Sequence, residues 1–140
     1  MQTTFTVETR GSGLVEITRT VAQWVAGAGL REGLLTLFVR HTSCSLLIQE
    51  NADPDVRTDL VTALRTLAPQ DAPWVHDTEG PDDMPAHIKA ALNGISLHVP
   101  VQDGAMALGT WQGIFLFEHR RAAHRRDIAA HVLGDDEDAA

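Results

Sequence analysis

Histidine is the side chain in this chain best suited to chemistry near neutral pH, and the sequence contains seven of them. His41 ends a predicted strand and precedes the small polar run Thr42-Ser43-Cys44-Ser45, while His76 lies in an acidic loop. His87 follows Asp83 by four residues, which is one helical turn. A carboxylate beside an imidazole fixes its tautomer and raises its basicity, which suits a metal ligand and a general base equally. Each histidine taken alone is also compatible with a structural role, and the spacing from His76 to His87 matches no metal motif.

Two other segments have the composition of an anion site. Gly109-Thr110-Trp111-Gln112-Gly113 is a turn bracketed by glycines, whose backbone N–H groups and Thr110 hydroxyl could cradle an anion; a simple β-bulge is the alternative. Four arginines follow the last long strand, where they would suit an anionic small molecule or balance an acidic tail: Arg120, Arg121, Arg125 and Arg126. Glu118 and His119 end that strand, and we expect one of them to point inward with its apolar residues.

Length and composition limit the classes of protein. The chain has 140 residues, which predicts one domain at 1–134 followed by an acidic tail at 135–140. Its net charge of −8 argues against generic binding to nucleic acid or to anionic membranes. The single cysteine, Cys44, excludes an internal disulfide and a zinc site of several cysteines. We find no signal peptide and no apolar run of about 20 residues, so we expect a soluble cytoplasmic protein.

Hydrophobic periodicity predicts the elements that must position these groups. Alternating apolar residues predict strands at 3–9, 34–41, 45–49, 95–101, 105–108 and 113–119. Helical spacing predicts helices at 17–28, at 54–67 after the capping residue Asp53, and from Asp83 to Gly94. Segment 125–133 fits a helix by composition and a strand by position. This order predicts an α+β fold with mainly antiparallel pairing. The strand at 34–41 is apolar on both faces, so another subunit is one candidate for its outer cover.

Three segments taken together resemble the YjbQ family, also called the uncharacterised family UPF0047. The first is 41–56, which reads HTSCSLLIQENADPDV and is similar to the family's HTS…NEnaDpdV signature. The second comprises Glu79-Gly80 and Ala86-His87-Ile88-Lys89, and the third is 108–114, which reads LGTWQGI. The order and spacing agree from about Phe5 to Leu133, which is nearly the whole chain.

The resemblance implies a fold and an assembly. It implies an α+β fold with a mainly antiparallel β-sandwich of about seven strands and two to three helices. It also implies a homotrimer whose sheets pack around the threefold axis, and a strand at 125–133. One departure is that many family sequences have Asn where this chain has Asp83, so we expect a more negative site here.

The resemblance also implies an activity and a set of site residues. The activity is that of a secondary thiamine-phosphate synthase, which joins a pyrimidine diphosphate to a thiazole phosphate and releases pyrophosphate. By position, the metal ligands would be His41, His76 and His87, and the catalytic candidates His41, Glu50, Asp83 and Glu118. The anion-binding candidates are Ser43, Gly109, Thr110, Gln112 and Arg120. We expect a divalent metal, with three histidines favouring Zn²⁺ and the carboxylates allowing Mg²⁺. The expected partners are a phosphorylated metabolite and further copies of the chain.

Two alternatives follow from the same residues. The first is metal-assisted hydrolysis of a phosphoester, which the same ligands would support as well as they would support the synthase reaction. A trimeric binding module for a small anionic metabolite is the other alternative, because the sequence contains no complete set of nucleophile, base and orienting group.

Overall fold

Alternation of apolar and polar residues produces eight strands in the part of the chain that this computed structural model describes, residues 1–136. The strands are β1 (Gln2–Thr9), β2 (Gly13–Glu16), β3 (Leu30–Val39), β4 (Cys44–Glu50), β5 (Ser96–Gln102), β6 (Ala105–Met106), β7 (Gln112–Glu118) and β8 (His124–Asp136). The helices are α1 (Thr18–Ala26), α2 (Pro54–Leu67) and α3 (Asp83–Asn93).

The strands form two antiparallel sheets. The five-stranded sheet has the order β1-β8-β3-β5-β6, and the three-stranded sheet has the order β2-β7-β4. A two-residue turn joins β5 to β6, and both of its residues, Asp103 and Gly104, have positive φ angles of 50° and 81°. This is the turn geometry that suits the twist of a hairpin. The pairing confirms the prediction of an α+β protein built on an antiparallel sandwich.

The core lies between the two sheets. Leu35, Leu37 and Val39 point inward from β3 and meet Leu46 of β4 and Leu116 of β7, all at most 1% exposed. The opposite face of the three-stranded sheet is also buried, and it includes Phe115, Phe117 and His119. Helices α2 and α3 pack on that side, where Arg57 of α2 lies 5.5 Å above the ring of Phe115. The fold therefore has a helical layer outside the three-stranded sheet.

Local sequence signals place the ends of the helices. The Asp53 side chain accepts a hydrogen bond of 2.9 Å from the backbone N–H of Asp55, which caps α2 with Pro54 in its first turn. The third helix begins at Asp83 as predicted, and Gly94 ends it with a positive φ of 93°.

Three features of the strands bear on the site, one predicted from the resemblance and two not predicted. Segment 125–133 is part of strand β8, as the family resemblance implied, because it pairs with β1 on one side and β3 on the other. Strand β3 ends at Val39, so His41 lies in the turn between β3 and β4 and not on the strand. The short strand β2 was not predicted, and it pairs with β7 from Gly13 to Glu16.

The carboxyl end of β8 extends into the predicted acidic tail. Asp135 and Asp136 pair with Glu32 and Leu30, so these two residues belong to the sheet. The rest of that tail, 137–140, lies outside the described residues. Within residues 1–136, no helix combines the length and the apolar character needed to cross a membrane.

Candidate metal centre

The first turn of α3 and the loop before it supply three side chains that meet at one point. Asp83 is the first residue of α3 and His87 follows it by four positions, so both lie on one face of the helix. His76 comes from the loop between α2 and α3. Arg120 holds this loop by donating from Nη2 to the carbonyl oxygen of Glu79 at 3.0 Å. This contact helps to place His76 beside the helix face that carries Asp83 and His87.

The Asp83 carboxylate is the centre of the cluster. His76 Nε2 lies 2.7 Å and His87 Nε2 lies 3.1 Å from Asp83 Oδ2, and the three ligand atoms lie within 4.8 Å of one another. The Asp83 side chain is 3% exposed, whereas those of His76 and His87 are 41% and 31% exposed. The cluster therefore has a buried carboxylate at its base and opens to solvent at its imidazoles.

The hydrogen bonds of His87 determine which ring nitrogen carries a proton. Its Nδ1 lies 2.8 Å from the carbonyl oxygen of Thr42, which can only accept, so Nδ1 is protonated. In a neutral imidazole the lone pair of Nε2 then faces the Asp83 carboxylate across 3.1 Å. Two acceptors at this distance need a cation between them, either a second proton on His87 or a metal ion.

Arg120 neutralises the carboxylates behind the cluster. Its Nη1 donates to Asp83 Oδ1, and its Nε donates to Asp82 Oδ2 at 3.2 Å. Burial alone would raise the pKa of Asp83, but the hydrogen bond from His76 and the charge of Arg120 hold that pKa below its usual value. Asp83 therefore stays ionised, with one oxygen held by Arg120 and the other directed at the two imidazoles.

Two clefts border the cluster. His87 lines one of them, with a volume of about 370 Å³, together with His41 and Thr42. His76 lines the other, with a volume of about 400 Å³, together with Trp74. A small molecule can therefore approach the cluster from either side.

The donor set fits a zinc ion. Zinc binds histidine nitrogen and carboxylate oxygen at about 2.0 to 2.2 Å, so ligand atoms around a tetrahedral ion lie about 3.4 Å apart. The observed separations of 2.7 and 3.1 Å need only small outward shifts to reach that value. The bond from His87 Nδ1–H to a carbonyl is the contact that commonly orients a histidine ligand. Mg²⁺ prefers oxygen donors, and within the cluster such a donor is the carboxylate of Asp83. A second carboxylate is near, because Glu79 Oε2 lies 3.7 Å from His76 Nε2.

Comparison with known proteins gives the family. The family model described as "UPF0047 protein YjbQ-like" matches residues 3–135. The chain belongs to the UPF0047 YjbQ-like family.

Relatives of similar length support this membership. The UPF0047 protein sll1880 of Synechocystis is 49% identical over 130 residues, covering 92% of this chain and 88% of the relative. The UPF0047 protein YjbQ of Salmonella typhimurium is 42% identical over 135 residues, covering 96% and 98%. Among solved structures, hypothetical protein APE1520 of Aeropyrum pernix K1 superposes with a TM-score of 0.88 at 30% identity, covering 96% of this chain and 99% of that one. None of these names states an activity, so function has to be argued from the site.

In this YjbQ-like chain, His41 lies beside the cluster and not within it. Its Nε2 accepts a hydrogen bond of 2.8 Å from the backbone N–H of Asp127, so that lone pair is not available to a metal ion. Burial and the nearby charge of Arg126 lower the pKa of His41. The geometry therefore does not support His41 as the third ligand, and it brings the carboxylate of Asp83 to His76 and His87 instead. His41 shares a cleft with His87, so its predicted catalytic role stays a prediction.

Glu118 and Ser43 belong to a buried network that joins the two sheets. Arg126 donates to both carboxylate oxygens of Glu118, and its Nη2 donates to Ser43 Oγ at 2.9 Å. The hydroxyl of Thr9 also donates to Glu118, at 2.7 Å. Burial would raise the pKa of Glu118, but these hydrogen bonds and the charge of Arg126 lower it. Glu118 therefore forms an ion pair with Arg126, and the Ser43 hydroxyl accepts a hydrogen bond from the same arginine. Neither residue has a hydrogen bond or ion pair to His76, Asp83 or His87 among the described residues.

The remaining predicted site residues lie at the far end of the three-stranded sheet. Glu50 pairs with Gln112, whereas Cys44 pairs with Glu118 at the end nearer the cluster. The six residue steps between these pairs correspond to roughly 20 Å along a strand. Within the turn, the N–H of Gly109 already donates to Gln112 Oε1 at 2.8 Å, and Thr110 is exposed. Within one chain these residues therefore lie apart from the histidine cluster, and their roles in catalysis and anion binding stay predictions.

Sequence reasoning missed several residues that the fold places near the site. Asp82 and Arg126 were not predicted as the carboxylate and guanidinium that organise it. Arg126 occupies the same face of β8 as the buried residues Ile128, Ala130 and Val132, which follow it at every second position. This spacing would have predicted a buried Arg126 if the segment had been interpreted as a strand and not as a helix. Arg120 was predicted to bind an anion, but its guanidinium already contacts Asp82 and Asp83.

Proposed function

We propose that this protein is a metal-dependent enzyme that acts on a phosphorylated small molecule, with the metal bound by His76, Asp83 and His87. The observation that carries the proposal is the orientation of His87. Its Nδ1–H is used by the Thr42 carbonyl, and its Nε2 and the Asp83 carboxylate converge at 3.1 Å with no proton between them in the neutral ring. A divalent cation satisfies both acceptors at once.

The exposure of the cluster favours catalysis over a structural role. Structural zinc sites are closed by four protein ligands, whereas catalytic sites use three and leave a position open. Here three ligands converge, two of them are partly exposed, and clefts lie on both sides. A bound Zn²⁺ would polarise a phosphoryl oxygen or lower the pKa of a water molecule in the open position.

The chain's own residues would hold this site in one geometry. Thr42 fixes the ring of His87 through its carbonyl oxygen, and Arg120 fixes the carboxylate of Asp83. His41 lines the cleft beside His87, and its catalytic role stays a prediction. These contacts support the proposal because catalytic groups need partners that lock their orientation.

Two reactions are candidates for this site. The first is the synthase reaction implied by the family resemblance, in which pyrimidine diphosphate and thiazole phosphate are joined and pyrophosphate is released. The second is hydrolysis of a phosphoester, which is favoured by the donor set of two nitrogens and one oxygen, as in metal hydrolases with an open water position. The binding module remains the non-enzymatic alternative.

The first experiment measures bound metal by elemental analysis of untagged protein purified without chelator. We expect close to one Zn²⁺ per chain in the wild type and loss of this metal in the His87→Ala variant. The matched control is His124→Ala, because within residues 1–136 the polar contacts of the His124 ring are to the Ala122 carbonyl and to Glu118, and neither belongs to the cluster. Wild-type protein that binds no divalent metal even when metal is added would contradict the proposal.

The second experiment separates the two reactions on the metal-loaded enzyme. Release of pyrophosphate that requires both pyrimidine diphosphate and thiazole phosphate supports the synthase. Release of phosphate from a generic phosphomonoester without a second substrate supports the hydrolase. Both activities should fall at least about 100-fold in the His87→Ala variant, which corresponds to about 2.7 kcal/mol. Metal binding without any turnover would favour the binding module.

We also propose that the protein assembles as a homotrimer through the outer face of the five-stranded sheet. Leu34, Phe38 and Leu133 are 44%, 46% and 67% exposed on that face.

We propose further that the protein acts in the cytoplasm, where a free thiol such as the buried Cys44 persists in reduced form.

A further inference from the structure

A second cavity lies between α2, α3 and the end of β7, and it shares no residue with the metal cluster. It encloses about 390 Å³. Val61 and Leu64 of α2 and Phe117 of β7 form its apolar wall. Lys89 of α3 also lines it, two residues after His87 and therefore on a different face of the helix.

Positive charge predominates in the lining of this cavity. Three cations line it, Arg65, Lys89 and Arg121, and none of them forms an ion pair within the described chain. Two carboxylates also line it, but Glu118 is already paired with Arg126, which leaves Asp71. Lys89 is the only lysine in the chain. Such an excess of positive charge is unusual in a protein of net charge −8.

The imidazole of His119 lies buried beside this cavity. Its Nε2 lies 2.9 Å from Ser45 Oγ, and that oxygen also accepts a hydrogen bond from the Asn93 side-chain amide at 3.2 Å. His119 is 3% exposed, and its Nδ1 has no hydrogen-bond partner among residues 1–136. A buried ring nitrogen without a partner is destabilising, so this part of the protein beside the cavity is not optimised for stability alone.

We propose that this cavity binds a small organic phosphate, whose oxygens contact Lys89 and the two arginines that line the cavity and whose apolar part packs against Leu64 and Phe117. These cations supply the charge that a phosphate dianion requires, and each of them donates charge-assisted hydrogen bonds to phosphate oxygens. The apolar wall excludes a fully hydrated ion such as inorganic phosphate as the preferred ligand. This inference does not rest on the proposed function, because the two sites have no residue in common.

The test is calorimetric titration with phenyl phosphate in the presence of a chelator, so that a metal ion cannot supply the binding. We expect saturable binding that weakens at least about tenfold when the phosphate is absent, with phenol as the probe. Lys89→Met should weaken the binding of phenyl phosphate by at least about tenfold, because it removes the charge and keeps the apolar stem. The matched control is Arg19→Gln, which removes one exposed positive charge from α1.

The single lysine also gives a local readout that distinguishes this site from the metal cluster. Protein labelled with ¹³C-lysine has one lysine Cε signal, and phenyl phosphate should shift it in the wild type and in His87→Ala alike. Circular dichroism of Lys89→Met confirms that the variant is folded. The proposal is overturned if phenyl phosphate fails to bind at millimolar concentration, or if His87→Ala abolishes binding while Lys89→Met does not.

Discussion

At the scale of single residues, Asp83 is the group that contacts all the other members of the site. Its buried carboxylate accepts from Arg120 through one oxygen and faces His76 and His87 through the other. An asparagine at this position would keep the shape of the side chain but lose its charge, and one of its two terminal atoms would become a donor. The aspartate therefore gives the cluster a negative charge that the neutral amide cannot supply.

We predict that Asp83→Asn lowers the affinity for Zn²⁺ by more than about 100-fold, because it removes both a ligand and a charge, whereas changes behind the ligands typically cost 10–100-fold. Competition against a chromophoric zinc chelator measures this affinity. The control is Asp77→Asn, an exposed carboxylate in the same loop, which should bind zinc as the wild type does. Equal zinc affinities in the two variants would show that Asp83 is not a ligand.

His119 makes stability depend on pH. Burial, reinforced by the charge of Lys89, lowers the pKa of His119 to about 3. A histidine whose pKa is lower in the folded state binds more protons when unfolded, so the free energy of unfolding falls as the pH drops below about 6.5. We predict that His119→Gln reduces this loss by about 1.4 kcal/mol per pH unit between about pH 6 and pH 4. Urea unfolding at several pH values measures the slope, and identical slopes in wild type and variant would contradict the assignment.

At the scale of the elements, one ion pair joins the two sheets. Glu118 at the end of β7 and Arg126 in β8 are fully buried and bonded through two oxygens. Arg126 also binds Ser43 before β4, so the turn that carries Thr42 is held by the same guanidinium. Because Thr42 orients His87, this network links the packing of the sheets to the geometry of the cluster.

We predict that Glu118→Gln destabilises the protein by about 3 to 5 kcal/mol, because it leaves the buried charge of Arg126 without a partner. Chemical denaturation at neutral pH measures the loss. The double variant Glu118→Gln/Arg126→Met should be more stable than the single one, since it removes the stranded charge as well. A loss below about 1 kcal/mol would be typical of an exposed pair and would argue against the network.

The elements were largely predictable from local signals, whereas the site was only partly so. Asp53-Pro54 and Asp83 mark helix starts through capping chemistry, which needs no tertiary information. Segment 125–133 has helical composition, and only pairing with strands on both sides makes it β. The position of Glu50 and Gln112 at the opposite end from Glu118 follows from strand direction and register, which residue types do not encode. His87 could be predicted to lie beside Asp83 because a spacing of four residues on a helix is a local signal, whereas the approach of His76 depends on the path of the loop before α3.

At the scale of the whole molecule, the five-stranded sheet has one covered face and one open face. Leu35, Leu37 and Val39 are buried in the sandwich, while Leu34 and Phe38 alternate with them on the outside. Phe38 is paired with Ala129, and Leu34 with Leu133 and Pro100, so apolar residues occur on neighbouring strands of this face. Thr36 lies between Leu34 and Phe38 and is paired with His98 and His131, so a polar row separates the two apolar groups. Several large apolar side chains exposed on one open sheet face are typical of an interface between subunits.

We predict that Phe38→Asp converts a homotrimer into a monomer, because it places a charge among these exposed apolar side chains. Light scattering after size exclusion should give a wild-type mass near three times the 15.2 kDa chain and a variant mass near one chain. The control is Leu67→Asp, a similar change at a residue that is 66% exposed on α2, and it should stay trimeric. A monomeric wild type would refute the assembly. If Phe38→Asp is monomeric but still binds zinc, each chain holds a complete metal site; if it loses zinc while remaining folded, the site needs a neighbouring subunit.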